Sequence, residues 1–324
     1  MDNDGLICAW LLDGRGGGRQ LDWEALAGAA PAHGEVLWLH FDYSSPRVQN
    51  WLVTQSGLSE VTVAALIQTE TRPRVVVADA GLMLFLRAVN LNPGAEPDDM
   101  VSARLWLGEQ RVISLRQRRL MSVDDLRAAI EAGTGPRNSG EFLVMLVDGV
   151  LERIDHVVEV VDENIDALEV TPASVPFPEQ RGQLAEIRRQ AIALRRFLAP
   201  QREALNRLAA DTSAILGEQE RLRLREEYDR QTRVVEELDA VRERAVLAQE
   251  SLASRMAEQM NQRMFLLSII AAIFLPLSFL TGLLGVNVGG IPGANDPAAF
   301  VLVVIALVVI GVALWLYFRS RDWV

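Results

Sequence analysis

Few residues in this chain of 324 residues have the types and spacing that chemistry requires. The histidines His33, His40 and His156 are far apart, and no histidine or cysteine recurs at the spacing of metal ligands. The one cysteine is Cys8, and no Ser/His/Asp, HExxH or CxxC arrangement occurs. The glycine-rich segment 14–18 lacks the Lys-Ser/Thr of a phosphate-binding loop, so it predicts a surface turn. These patterns argue against an enzyme and against a permanently bound cofactor.

One stretch combines a histidine with carboxylates. His156 lies beside Asp155 in a predicted helix that also carries Glu152 and Glu159. It could contact Zn²⁺ at the surface, although a solvated or packed histidine is the commoner use of this residue. The acidic residues of the helix could form a solvated face or a sensor of divalent cations. They are Asp155, Glu159, Asp162, Glu163 and Asp166.

The triplet Gly285-Val286-Asn287 follows a long apolar run and is the third candidate. Glycine lets the backbone turn and approach a neighbour closely. Asn287 offers a neutral amide oxygen, which accepts hydrogen bonds from the water shell of a cation without removing that shell. Two spans cannot enclose a pore, so any pore must lie on a symmetry axis between copies. A ring of Asn287 side chains would suit its mouth.

Two apolar segments flank this triplet. Met264–Leu284 and Ala298–Phe318 carry no charged side chain, and each reaches roughly 31 Å as a helix, about the thickness of a bilayer's hydrocarbon core. Soluble core helices rarely stay uncharged for so long, so we predict two membrane spans. Arg263, Arg319 and Arg321 lie at the outer ends of the two spans. The positive-inside rule then predicts cytoplasmic N- and C-termini.

The overall pattern predicts an α+β/α membrane protein with an N-terminal cytoplasmic α/β sandwich around a mixed sheet. Short apolar runs dominate at first, and helical spacing of three and four residues follows from Ser139. The stalk helix is predicted to run unbroken from Gly217 to Leu284, with partner copies covering its apolar face. The predicted segments are 1–138 (α/β domain), 139–216 (long-helix hairpin), 217–263 (stalk), 264–284 (first span), 285–297 (periplasmic loop), 298–318 (second span) and 319–324 (cytoplasmic tail).

Individual elements of the first part can also be predicted. The expected strands are Leu6–Leu12, Val36–Phe41, Arg74–Ala78, Leu82–Val89, Val101–Leu107 and Val112–Leu115. Helices are expected to start at Ser45-Pro46 and at Ser59-Glu60. Ser122 with Asp125 resembles a capping box for a helix over Val123–Ala132.

The charge pattern narrows the function further. A net charge of −11 argues against a nucleic-acid partner and can concentrate cations near the surface. Asp296 is the only charge in the loop between the spans, and we expect it to attract cations. Between Arg263 and Asp296 there is no Cys, His, Asp or Glu, so side chains there cannot form a dehydrated zinc site.

With these residues the chain resembles the CorA superfamily of metal-ion transporters, whose mark is Gly-x-Asn after the first of two C-terminal spans. The supporting residues are IFLPLSFLTGLLGVN, in which Val286 stands where CorA proper has Met, with Thr71–Arg74 and Phe142–Glu169. The following VGGIPGAND is similar to the ZntB zinc-transporter branch and unlike the acidic and aromatic loop of the magnesium branch. The resemblance covers the whole chain.

The resemblance implies a funnel-shaped homopentamer in the cytoplasmic (inner) membrane, with the stalk and first span lining the pore. The pore and selectivity positions that it implies are Asn261, Met264, Leu267 or Ser268, Ala271, Leu275, Ser278, Gly285, Val286 and Asn287. The spacing of those on the helix independently agrees with one helical face.

The resemblance also implies that Zn²⁺ is the transported ion and that the proton gradient drives its uptake. The expected partners are the lipid bilayer, divalent metal cations and other copies of the chain. Three alternatives remain open from the sequence. They are a Mg²⁺/Co²⁺ channel of the CorA type, Zn²⁺ efflux, and a membrane-anchored scaffold or signalling protein.

Overall fold

The structure is a computed structural model that describes residues 4–26, 28–170, 175–286, 291, 293 and 296–321. The chain divides into two compact units, Met1–Gln249 and Glu250–Val324. In chain order the elements are β1 (Leu6–Leu12), β2 (Gly18–Leu21), α1 (Trp23–Leu26), β3 (Val36–Asp42), α2 (Pro46–Thr54), α3 (Glu60–Ile67), β4 (Arg74–Ala78), β5 (Gly81–Ala88), β6 (Val101–Leu107), β7 (Arg111–Arg116), α4 (Met121–Glu131), α5 (Ser139–Glu169), α6 (Phe177–Ala209), α7 (Glu218–Leu284) and α8 (Pro297–Ser320).

A seven-stranded sheet forms the centre of the first unit, with strand order β2-β1-β3-β7-β6-β5-β4. The β3–β7 pair is parallel and the other pairs are antiparallel, which confirms the predicted mixed sheet. Strands β3 and β5 are buried almost end to end, as expected where both faces of a sheet are covered.

Helices cover the sheet on both faces. Phe41 of β3 lies in a core cluster with Leu52 of α2 and Leu66 of α3. On the opposite face of the same strand, the ring of Trp38 lies 5.0 Å from that of Phe142 of α5. Because successive side chains of a strand point to opposite faces, β3 alone fixes this three-layer α/β/α arrangement. The predicted α/β sandwich is therefore confirmed.

Two parts of the local prediction were incomplete or wrong. Strand β2 and helix α1 were not predicted, because each has four residues and β2 is mostly polar. The capping box at Ser122 is wrong, since α4 begins two residues earlier, with Leu120 at the N-cap and no side-chain cap. Ser122 is itself buried inside the helix. The glycine-rich turn is confirmed, with the Asp13 carboxylate accepting backbone hydrogen bonds from Arg15 at 2.8 Å and Gly17 at 3.1 Å.

Helix α5 and the part of α7 before residue 250 pack together in the first unit. Asn138 caps α5 by accepting a hydrogen bond from the Glu141 backbone at 2.7 Å. The apolar face of this part of α7 is already buried within the single chain, where Leu224, Leu238 and Val241 have no exposed surface. We expected partner copies to cover that face. For these residues the expectation is wrong, because the chain's own helices cover them.

Candidate functional site

In the second unit, one stripe of α7 faces α8. The side chains between residues 264 and 284 with reduced exposure are Ile269, Ile273, Leu277 and Leu280. The matching set on α8 is Ala299, Val303, Leu307, Ile310, Gly311, Leu314 and Phe318. Both sets recur every three or four residues, as two helices packed along a common seam require. Gly311 lies beside Leu277, since a Cβ built on Gly311 would be 3.8 Å from Leu277 Cδ1.

The predicted pore positions lie on the other side of α7. Leu275 is 68% exposed and Met264 is 61% exposed. The exposed positions also include Asn261, Leu267, Ser268, Ala271, Ser278, Gly285 and Val286. At about 100° per residue, the helical pore positions point roughly opposite to the seam with α8. Within the single chain, α8 therefore leaves the predicted pore face uncovered.

The polar groups on this face are oriented by the helix backbone. Ser268 Oγ donates a hydrogen bond to the Met264 carbonyl at 2.9 Å, so its lone pairs stay available to accept one from water. The Gly285 backbone N–H donates to the Thr281 carbonyl at 2.9 Å. A Cβ on Gly285 would lie 3.0 Å from the same carbonyl, which explains a glycine here. Asn287, the central residue of the predicted site, lies outside the described residues.

Asp296 has a role that the sequence analysis missed. It is the N-cap of α8, and its carboxylate accepts a hydrogen bond from the Ala298 backbone at 2.9 Å. Pro297 follows in the first turn of the helix. An Asp before a Pro at the start of an apolar run is a recognised helix-start signal, so the cap was predictable. The charge predicted to attract cations is therefore also a structural group.

The far end of α8 carries paired aromatic and cationic side chains. The Arg319 guanidinium lies 5.1 Å from the centre of the Trp315 ring, and that of Arg321 lies 5.8 Å from Tyr317. Aromatic and basic residues at a helix end are typical of the boundary between a bilayer and water. Helices α7 and α8 are both long and apolar enough to cross a membrane. These features support the two predicted spans.

Several carboxylates of the acidic helix α5 form ion pairs with arginines of α7, so they are not available to bind a metal ion. Arg244 of α7 pairs with Asp162 at 2.9 Å and Glu169 at 2.9 Å, and also with Asp166. Arg230 pairs with Asp155. These partners are 75 or more residues apart in the chain, so no local sequence pattern indicates the pairing.

His156 is exposed on this helix, with its Nδ1 3.8 Å from a Glu159 carboxylate oxygen. Among the described residues, no group of three or more His, Cys, Asp or Glu side chains is placed to hold a metal ion. This holds for His33 and His40 as well as for His156. His40 is buried, and burial lowers its pKa to about 3.

Glu227 of α7 is a carboxyl group of the first unit with a raised pKa. Burial and the carboxylates of Asp148 and Asp155 raise its pKa to about 7, against the opposing effect of Arg230. Arg230 approaches it at 3.8 Å while also pairing with Asp148 at 3.1 Å. A pKa of about 7 lets Glu227 change protonation near neutral pH.

Comparison with known proteins places this arrangement in a family. The family described as "CorA-like Mg2+ transporter protein" matches residues 33–320. A protein of Pseudomonas aeruginosa named divalent cation transporter CmaX is 42% identical, over 99% of this chain and 98% of its own. The zinc transport protein ZntB of Yersinia enterocolitica is 38% identical, over 98% and 95%.

A solved structure agrees over the full length. The structure of the full-length CmaX protein superposes with a TM-score of 0.87 at 41% identity, covering 100% of this chain and 99% of that one. The soluble α/β part, the long helix and the two C-terminal apolar helices are thus one shared fold. The chain belongs to the CorA family of metal-ion transporters.

Proposed function

We propose that this protein carries divalent cations, with Zn²⁺ as its cargo, across the cytoplasmic membrane through a pore on the axis of a homopentamer. The uncovered face of α7 is the observation that carries this proposal. Helix α8 packs on the stripe through Ile269 and Leu277 and leaves the Met264, Ala271 and Ser278 face free. Copies of the chain can therefore meet around that face with α8 on the outside, towards lipid.

The names of the relatives and the residues of the proposed pore support Zn²⁺ as the cargo. Several relatives that match nearly the whole chain are named zinc transport proteins. Between Arg263 and Asp296 no side chain can bind Zn²⁺ tightly. The ion therefore passes at least partly hydrated, held by Asn287 and by serine and backbone oxygens. A weakly binding, hydrated path also lets the ion leave, which conduction requires.

A second candidate has its own support. The relative at 42% identity is named for divalent cations without restriction to zinc, and the matching family is described as Mg²⁺ transporters. A hydrated path held by amide oxygens discriminates less between cations than a site of Cys or His ligands. A Mg²⁺/Co²⁺ channel is therefore the alternative. The presence of Val286 where CorA proper has Met, and the GGIP that follows the triplet, weigh against it.

We propose zinc uptake coupled to protons, and the coupling then has few possible sites. Proton-driven carriers usually place a titratable side chain within the bilayer, whereas Met264–Leu284 contains none. The proton must then move through pore water or bind outside the spans, at cytoplasmic carboxylates, His156 or Asp296. No single substitution within Met264–Leu284 should abolish the pH dependence while preserving zinc flux.

Flux into proteoliposomes tests the proposal. The purified chain is reconstituted, and uptake of Zn²⁺, Mg²⁺, Co²⁺ and Ni²⁺ is measured with and without an imposed pH gradient, against protein-free liposomes. We expect Zn²⁺ uptake that increases when the outside is acidic. Preferred flux of Mg²⁺ and Co²⁺ would favour the second candidate, and no flux of any ion would contradict a transport function.

A further inference from the structure

A small cavity of about 150 Å³ opens on the α/β domain of the first unit, away from the residues discussed above. Arg87 of β5, Arg104 of β6 and Arg118 line it together with Asp99. Its neutral polar lining comes from Tyr43, Thr69, Ser102 and Gln117. Since a water molecule takes up about 30 Å³ of liquid, the cavity has room for a few waters or one small polyatomic ion.

Arg104 is the most unusual of these residues because it is only 1% exposed. Its guanidinium donates hydrogen bonds to the Leu66 carbonyl at 2.7 Å, the Tyr43 hydroxyl at 2.9 Å and the Thr69 carbonyl at 3.2 Å. Its Nε is buried without a hydrogen-bond partner among the described residues. All three hydrogen-bond partners are neutral, so none of them supplies a counter-charge for the guanidinium.

Arg87 repeats this pattern on the neighbouring strand. Its guanidinium donates to the Thr71 carbonyl at 2.7 Å and the Met100 carbonyl at 3.1 Å. Its Nε is likewise buried without a partner in the described part of the chain. Burial lowers the pKa of both arginines, which reports the cost of desolvating each cation.

The lining therefore has an excess of positive charge. Asp99 is the one carboxylate in it, and it forms an ion pair with the third arginine, Arg118, on an exposed part of the rim. In the described part of the chain, neither Arg87 nor Arg104 forms an ion pair with a carboxylate. A buried cation without a counter-charge is costly, and carbonyl oxygens compensate only part of that cost.

We propose that this cavity is an anion site that binds a tetrahedral oxyanion of the phosphate class. Guanidinium groups present several N–H donors in a fixed fork that matches phosphate oxygens. Among the described residues, each of the two arginines has N–H donors without a hydrogen-bond partner. The Tyr43 and Ser102 hydroxyls add neutral polar groups on the same wall. The site lies in the α/β domain and does not depend on which cation the protein carries.

Equilibrium dialysis of radiolabelled orthophosphate against the purified full-length chain in detergent tests this proposal. We expect saturable binding of one orthophosphate per chain with a Kd below about 1 mM at constant ionic strength. Arg87→Met and Arg104→Met should each weaken binding by about tenfold or more, because each removes a charged donor. Arg223→Met, which removes an exposed arginine of α7, is the matched control and should bind as the wild type does.

The competitors identify the source of the oxyanion. Displacement by sulfate but not by AMP indicates a free ion, whereas stronger displacement by AMP indicates the phosphate group of a larger molecule. Both results support the site. If Arg104→Met does not fold, Arg87→Met and Tyr43→Phe decide in its place. The proposal is overturned by the absence of saturable binding up to about 10 mM, or by equal affinity in wild type and Arg87→Met.

Discussion

Leu277 of α7 and Gly311 of α8 lie close enough that a Cβ on Gly311 would be 3.8 Å from Leu277 Cδ1. This contact marks the side of α7 that faces α8, and the face with Ala271 and Ser278 points away from it. If that face surrounds a pore, its residues in neighbouring copies must come close to one another.

Cysteine cross-linking follows directly from this geometry. The native Cys8 is buried, and burial raises its pKa to about 12, so we expect it to be unreactive. The cross-linking variants are nevertheless made in a Cys8→Ala background. We expect Ala271→Cys to form cross-links between copies in membranes. Ile273→Cys, two residues away on the α8 side, is the matched control and should remain monomeric on gels. Cross-linking of Ile273→Cys but not of Ala271→Cys would contradict the proposed pore face.

The two roles of Asp296 can be separated by substitution. Asn caps helices about as well as Asp, so Asp296→Asn keeps the cap on Ala298 and removes only the charge. We expect lower cation flux than in the wild type at low ionic strength and nearly equal flux at high ionic strength, because salt screens the attraction. Asp296→Ala should also lose about 1 kcal/mol of helix stability. Equal loss of flux at both ionic strengths would indicate direct coordination.

Glu227 predicts how stability depends on pH. Its pKa of about 7 is raised from the value in the unfolded chain, so the folded protein binds the additional proton. The resulting stabilisation is present below about pH 4.5 and is lost as the pH rises through about 7. Burial is the main cause of this raised pKa, and the charges of Asp148, Arg230, Asp155 and Glu226 also contribute to it.

Thermal unfolding of the purified protein between pH 5 and 8.5 measures this effect. At pH 8, Glu227→Gln should unfold at a higher temperature than the wild type. The expected gain in the free energy of unfolding is up to about 3 kcal/mol, because one pKa unit corresponds to about 1.36 kcal/mol. Glu236→Gln, which changes an exposed glutamate of α7 outside this group, should not alter the pH profile. Parallel profiles for Glu227→Gln and the wild type would show that Glu227 is not the group.

The turn between β4 and β5 predicts a stabilising substitution. Asp79 and Ala80 have φ values of 51° and 57°, as the two central residues of a tight hairpin turn require. Alanine is strained in this left-handed region and glycine is not. Ala80→Gly should therefore stabilise the protein by about 0.5–1 kcal/mol in denaturant unfolding. Ala78→Gly, in the adjacent strand, should destabilise it, and destabilisation by both would contradict this explanation.

Periodicity and turn signals predicted most of the fold. The strand Arg74–Ala78 has the predicted bounds, and the second span, expected over 298–318, lies within α8. Short polar elements such as β2 form because β1 pairs with them, and that pairing is not encoded in four residues. The Ser122 cap failed because α4 starts two residues earlier, after the buried Leu120, which is a tertiary effect.

In the candidate site too, features within one helix could be predicted from the sequence, and features that depend on packing could not. The family resemblance implied the positions from Met264 to Ser278, and helical spacing agreed that they share one face, because every position belongs to one helix. The pairing of Arg244 with three carboxylates of α5 could not be predicted, since it depends on how two distant helices pack. For the same reason, the excess charge of Arg87 and Arg104 has no signature in the sequence. Both arginines belong to strands whose neighbours set their environment.

Zinc uptake by the Asn287→Ala variant tests the central claim most directly. The side chain removed is small and supplies the oxygen that should hold the hydrated cation at the pore mouth, so assembly should be preserved. With wild type and Asn261→Ala measured beside it in proteoliposomes, we expect Asn287→Ala to lose nearly all Zn²⁺ uptake and Asn261→Ala to lose less. Wild-type zinc flux through correctly assembled Asn287→Ala protein would contradict a pore selected by this residue.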